Sequence, residues 1–233
     1  MYHYRVWVRS NKYHSKEALT YYHKKLLKQG TIVKVFLQNN EINALIIGKT
    51  DKPRFKTKEI SHIYDLPTIN PHLINLIKWL IEYYPSNIGV ITSHLLPSKL
   101  DLEIINKIAI QKSTISKTKL PSLTNDQKKA LKSIKPRSTT LIRGRTGSGK
   151  TRIYLELALK AFHESKSSII LTPEISLTSQ LYQFFSRKFN NNVYIVHSRL
   201  TFKEKQIIWL TCLLSDQPII LIGPRSASLL TAR

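Results

Sequence analysis

A single cysteine, Cys212, is all that the 233 residues contain. No internal disulfide can form, and a zinc site built from several cysteines of this chain is excluded, which suits a reducing compartment. No apolar run approaches the roughly 18 residues of a membrane-spanning helix. The opening Met1-Tyr2-His3-Tyr4-Arg5-Val6-Trp7 lacks the charged segment, apolar run and small-residue cleavage site of a secretory signal. These absences lead us to expect a cytoplasmic protein with no membrane partner and no zinc. Acid is scarce too: 14 Asp plus Glu stand against 37 Lys plus Arg, a formal charge of +23. Such an excess suits a polyanion, because each phosphate neutralised by Lys or Arg releases a condensed counterion. Biased coding in an A+T-rich genome is the alternative, since Asn, Ile and Lys are all abundant.

Two rhythms follow along the chain. Tyr4–Val8, Gly30–Phe36 and Ile42–Ile47 read as short strands, with Gln38-Asn39-Asn40-Glu41 as a hairpin loop. Asn70-Pro71 offers an N-cap followed by proline at the first helical position, and apolar residues from Leu73 to Tyr84 follow at helical spacing until Pro85. This makes an α+β domain over 1–105. Residues 106–122 are polar, basic and weakly patterned, as in a linker. Over 123–233 apolar strands alternate with helices: Thr139–Ile142, Ser168–Leu171, Val193–Val196 and Ile219–Ile222 as strands, and Arg152–His163, Leu177–Phe189 and Phe202–Leu214 as helices. That alternation predicts a parallel sheet covered on both faces, so the fold class is α/β with a β-rich N-terminal domain.

The sharpest motif is Gly144-Arg145-Thr146-Gly147-Ser148-Gly149-Lys150-Thr151, a P-loop between a predicted strand and a predicted helix. Its glycines let backbone N–H groups converge on phosphate oxygens. Lys150 faces the β- and γ-phosphates, the Thr151 hydroxyl ligates Mg²⁺, and the helix directs its positive end at the anion. ATP and Mg²⁺ are therefore the expected ligands, held by Gly144, Thr146, Gly147, Ser148, Gly149, Lys150 and Thr151. Upstream, Gln127 has an amide able to read the adenine edge, although such a glutamine by itself is more often a solvated helix residue.

The P-loop, Leu171–Thr178, His197-Ser198 and Ile222–Ala227 occur in the order and spacing of the PriA family of replication restart helicases, also called primosomal protein N-prime. Leu19-Thr20-Tyr21, Gly30 with the strand after it, Trp79–Tyr84, Gly89 and Leu96-Pro97 resemble the same family. The resemblance implies a domain that captures the 3′ end of a nascent DNA strand, followed by part of a RecA-like helicase lobe that unwinds 3′ to 5′ with ATP. Forked and single-stranded DNA would be the partners, together with single-strand-binding protein and other primosome proteins. It places Thr20 and Lys58 in the 3′-end pocket, with Leu19 where the family prefers an aromatic ring and Gln38 where it prefers glycine; Lys58 also reads as a solvated surface lysine. It places Glu174, Thr178, His197 and Arg225 among DNA-contacting or lobe-bracing residues, where ordinary capping is the alternative.

The family's winged-helix domain is not evident between Leu100 and Leu123. No Asp-Glu-Glu-His segment, second lobe or zinc cysteines occur before Arg233, so the expectation is ATP binding with poor hydrolysis and no complete catalytic set. A shortened, non-catalytic fork-binding protein with a relic or sensory P-loop is the alternative. An unrelated P-loop kinase fits less well, having no evident need for the Leu171–Thr178 segment.

Overall fold

The computed structural model describes residues 1–101, 103, 104, 115, 116, 120–173 and 175–230. It divides into two compact units. The first joins residues 1–110 to 198–215 and the stretch from Ser228; the second joins 111–197 to 216–227.

The first unit is built on a closed barrel of strands β1 (Tyr2–Val8), β2 (Leu19–His23), β3 (Ile32–Leu37), β4 (Asn40–Thr50) and β5 (Lys58–Ile63), in the order β1-β2-β5-β3-β4. Neighbours run antiparallel except β2 and β5. Side chains alternate across each strand. Tyr4, Val6, Val8, Val33, Val35, Ala44 and Ile46 fill the barrel, while Trp7, Ile32, Leu45 and Ile47 point outward into a second core with the helices. Helix α1 (Pro71–Tyr83) starts as its sequence predicts, the Asn70 side chain accepting from the His72 N–H at 2.9 Å with proline at the helix start. It lays Leu73, Ile74, Ile77 and Ile81 on that outer core, with α2 (Ile88–Leu95) beside them.

Strands β2 and β5 were not expected from periodicity: each is short and only one residue of each, Tyr21 and Ile60, is fully buried. The hairpin between β3 and β4 is tighter than expected. Leu37 pairs with Asn40, leaving Gln38 and Asn39 as the turn.

The second unit holds α3 (Asn125–Ser133), α4 (Lys150–His163), β6 (Ser168–Leu171), α5 (Ile175–Phe189), β7 (Val193–Ile195) and β8 (Ile220–Gly223). Its sheet is parallel, ordered β6-β8-β7. Leu155, Ala158 and Phe162 of α4 and Leu181, Phe185 and Phe189 of α5 pack with Ile220 and Ile222. Of the expected linker, residues 106–114 and 117–119 lie outside the described residues. Ile115 and Leu120 pack on this core, and the Ser116 N–H donates to the Lys188 carbonyl at 2.8 Å.

Two expectations are corrected. Thr139–Ile142 is not a strand, and Leu141 is 90% exposed. A strand persists only when a neighbour takes up its N–H and C=O groups, and none of β6, β7 and β8 pairs with this segment. The helix α6 (Phe202–Leu214) forms as predicted but not within the second unit: Trp209, Leu210 and Leu213 enter the outer core of the first, and the Trp209 Nε1–H donates to the Leu95 carbonyl at 2.7 Å.

Candidate nucleotide and DNA sites

In the second unit the P-loop is shaped by its glycines. Gly147 and Gly149 have φ of +80° and +81°, a conformation costly to any residue with a Cβ. Gly149 is also the N-cap of α4, and a Cβ there would stand 2.4 Å from Gln127 Nε2. Gln127 is buried and fully engaged. Its Oε1 accepts the Thr124 N–H at 3.0 Å in a capping box that starts α3, and its Nε2 donates to the Gly149 carbonyl at 3.3 Å. The glutamine is thus an integral wall of the loop rather than a solvated helix residue. Thr124, which the sequence reading passed over, fixes it; the Thr-x-x-Gln spacing of a capping box was the available signal.

Lys150 Nζ donates to the carbonyls of Gly144 at 2.8 Å and Arg145 at 2.9 Å, folding its cation across the mouth of the loop. Thr146, Gly147 and Ser148 form the turn between these carbonyls and α4, and Thr151 lies in the helix's first turn. The arrangement fits a triphosphate. Glycine backbone, a lysine held only by exchangeable carbonyl contacts and the start of a 14-residue helix meet at one point.

The sheet's carboxyl end carries the later motifs. Thr172 N–H donates to Gly223 O and Val196 N–H to Ile222 O, both at 2.8 Å, so the segments after β6, β7 and β8 leave the sheet side by side. Gly223 permits this, since a Cβ there would lie 2.6 Å from the Val196 carbonyl oxygen. Glu174 lies outside the described residues. Thr178 is fully buried, its hydroxyl 2.9 Å from that of Thr172, so its side chain braces the junction of strand and helix and does not face a ligand. His197 is half-buried, with Nδ1 enclosed and unpartnered among the described residues, whereas Arg225 is exposed.

In the first unit, Thr20 faces Arg5 across the β1–β2 ladder and Tyr21 pairs with Lys58. Lys58 is exposed but tethered: its Nζ donates to the Gln38 carbonyl at 2.7 Å. Gln38 has φ of +53° at the first central position of its two-residue turn, where glycine is favoured. Tyr21 Oη donates to Phe36 O at 3.0 Å, and burial first, with Tyr13 second, pushes its pKa up to about 12. Thr20, Gln38 and Lys58 therefore converge, while Leu19 packs against the barrel interior in place of a stacking ring. Arg5 is the neighbour that sequence reading missed, because only the strand register reveals it.

Residues 6–97 match the PriA family described as the 3′ DNA-binding domain, and residues 124–229 match the DEAD/DEAH box helicase family. Among curated relatives, the replication restart protein PriA of Helicobacter pylori strain 26695 is 31% identical over 210 residues, covering 90% of this chain and 32% of the relative. That of Rickettsia felis is 34% identical over 209 residues, covering 87% and 31%. That of Chlamydia pneumoniae is 30% identical over 230 residues, covering 97% and 27%. The chain spans about a third of the length of such relatives. Both matched families lie on this one chain in order, and the PriA relatives align across nearly all of it, so the chain belongs to the PriA family over its N-terminal region.

Proposed function

We propose that the chain is the ATP- and DNA-binding N-terminal portion of a PriA-type 3′-to-5′ DNA helicase that acts in replication restart at stalled forks. The observation that carries this reading is the ordered pair of a 3′ DNA-binding domain and a helicase region on one chain, the latter with a formed P-loop. The second unit is read as part of a RecA-like lobe, with domains over 1–105 and 123–233 joined by 106–122. The position of α6 shows that compactness does not follow that division throughout.

In this reading the N–H groups of the glycine loop and the Lys150 ammonium hold the β- and γ-phosphates, and the Thr151 hydroxyl holds Mg²⁺. The metal, when bound, neutralises charge between those phosphates. Gln127 would reach adenine by exchanging one of its present hydrogen bonds. Glu174, His197 and Arg225 follow the sheet's carboxyl end, where ligands gather in open parallel sheets, and are read as contacts to DNA. Thr20 and Lys58 are read as the contacts to a 3′-hydroxyl. Cytoplasmic location accords with such work, and no helix of the described residues is long and apolar enough to cross a membrane.

Two measurements on the full chain test the reading. Calorimetry with Mg²⁺ should show ATP binding that Lys150→Ala abolishes; equal affinity in both would remove the P-loop assignment. A fork with a free 3′-OH should outcompete the same fork with a 3′-phosphate, and coincident competition curves would remove the 3′-end pocket.

A further inference from the structure

Three large rings stand together on the surface of the first unit. Trp79 and Tyr83 stack at 4.9 Å between centroids with 18° between planes, and Tyr84 closes on both edge-on. All are open to solvent, with Trp79 at 49%, Tyr83 at 66% and Tyr84 at 48% exposure. Solvent-exposed clusters of this kind mark recognition sites more often than chance placement. Since Trp79 and Tyr83 lie one helical turn apart, α1 presents them on one ridge, and the next ridge, about 100° around, carries Lys78 and Glu82. That second ridge borders a cavity of about 510 Å³ lined also by Arg5 and Lys16, with Trp7 and Ile81 among its apolar residues. Three cations face one carboxylate there. An aromatic platform beside a cationic cleft matches single-stranded nucleic acid, whose bases stack without regard to sequence and whose phosphates need counter-charge. A chain of +23 favours that occupant over an apolar protein surface.

We propose that α1 carries a single-stranded DNA contact in which a base stacks on the Trp79–Tyr83 pair and adjoining phosphates enter the cleft of Arg5, Lys16 and Lys78. The contact needs no strand end. It rests on the reading of the first unit as a DNA-binding domain and is independent of the 3′-end pocket.

A short circular oligo(dT) with no terminus tests it, using the full chain. Trp7 and Trp209 are each 3% exposed, so Trp79 is the indole a base can reach. Stacking should quench it. Trp79→Leu should weaken binding of the circle by about 5- to 150-fold, the span of one base–aromatic stack, while Trp79→Phe retains most of it. Lys16→Gln and Lys78→Gln should each reduce the slope of log affinity against log salt by about 0.7. Unaltered thermal unfolding of the variants shows that the fold is intact, as expected for half-exposed side chains. If the circle binds parent and Trp79→Leu equally and quenches neither, the contact is refuted and the patch falls to a protein partner. Failure of the 3′-end pocket looks different: linear strands ending in 3′-OH and 3′-phosphate compete equally while the circle still quenches.

Discussion

Gly147 and Gly149 share nearly the same backbone angle but not the same surroundings, and the difference is measurable. Placing alanine at either forces a left-handed φ on a residue with a Cβ, costing about 1–2 kcal/mol. At Gly147 nothing lies within 4 Å of the added carbon, so that is the whole effect. At Gly149 the carbon meets Gln127 Nε2 at 2.4 Å, and the amide must swing away. It then loses its bond to the Gly149 carbonyl and loosens the capping box, together about 1 kcal/mol more. Gly149→Ala should therefore destabilise the second unit by about 2–3 kcal/mol, Gly147→Ala by about 1–2. In a Gln127→Ala background the two should become alike. Urea denaturation of the four single and double variants supplies the cycle, and calorimetry with ATP and Mg²⁺ should rank their affinities in the same order. A Gly149→Ala chain as stable as Gly147→Ala, with no coupling to Gln127, would refute the claim that this glutamine walls the loop.

Gln38→Gly should stabilise the first unit by up to about 1 kcal/mol by relieving the positive φ, and it should leave 3′-end discrimination unchanged, because Lys58 holds only the backbone carbonyl; a chain destabilised in urea would contradict it. Trp209→Ala should cost about 3–5 kcal/mol and expose apolar surface of the first unit, read as increased dye binding, whereas parent-like stability would place α6 outside that core. Burial pushes Tyr21 and Tyr64 up to about 12, Tyr64 aided by Glu41. Both therefore keep their protons in the fold after the unfolded chain has lost them near 10. The stability they confer is complete below about pH 10 and disappears as pH rises through 12, so urea midpoints should fall across that window and fall less in Tyr21→Phe and Tyr64→Phe.

Local chemistry made much of this molecule readable. Asn70-Pro71 and the spacing of Leu73, Ile74, Ile77 and Ile81 define α1 without outside help, and the P-loop glycines announce their own dihedrals. Positions set by partners distant in sequence were not readable. Thr139–Ile142 has a strand's composition but finds no ladder, a fact about its neighbours. Strands β2 and β5 gain their identity from the closed barrel, since neither has the alternation that would mark it alone. The aromatic residues of α1 read as part of a helical stripe, yet one ridge is buried and the next is open, which only the packing decides. Thr178 and Gln127 sit in motifs the eye assigns to ligands; burial gives the first to bracing and the second to the loop wall.

The bond from Trp209 to Leu95 spans 114 positions of sequence, and that distance sets a schedule for a chain made from one end. The barrel and its first two helices leave the ribosome long before α6 exists. At about 5–20 residues per second, the apolar ground meant for Trp209, Leu210 and Leu213 stays uncovered for about 6 to 23 s, while the whole nucleotide-binding loop is synthesised in between. During that interval the nascent chain has an open hydrophobic seat and a strongly cationic surface, conditions that call for a chaperone or for the polyanion it is built to hold.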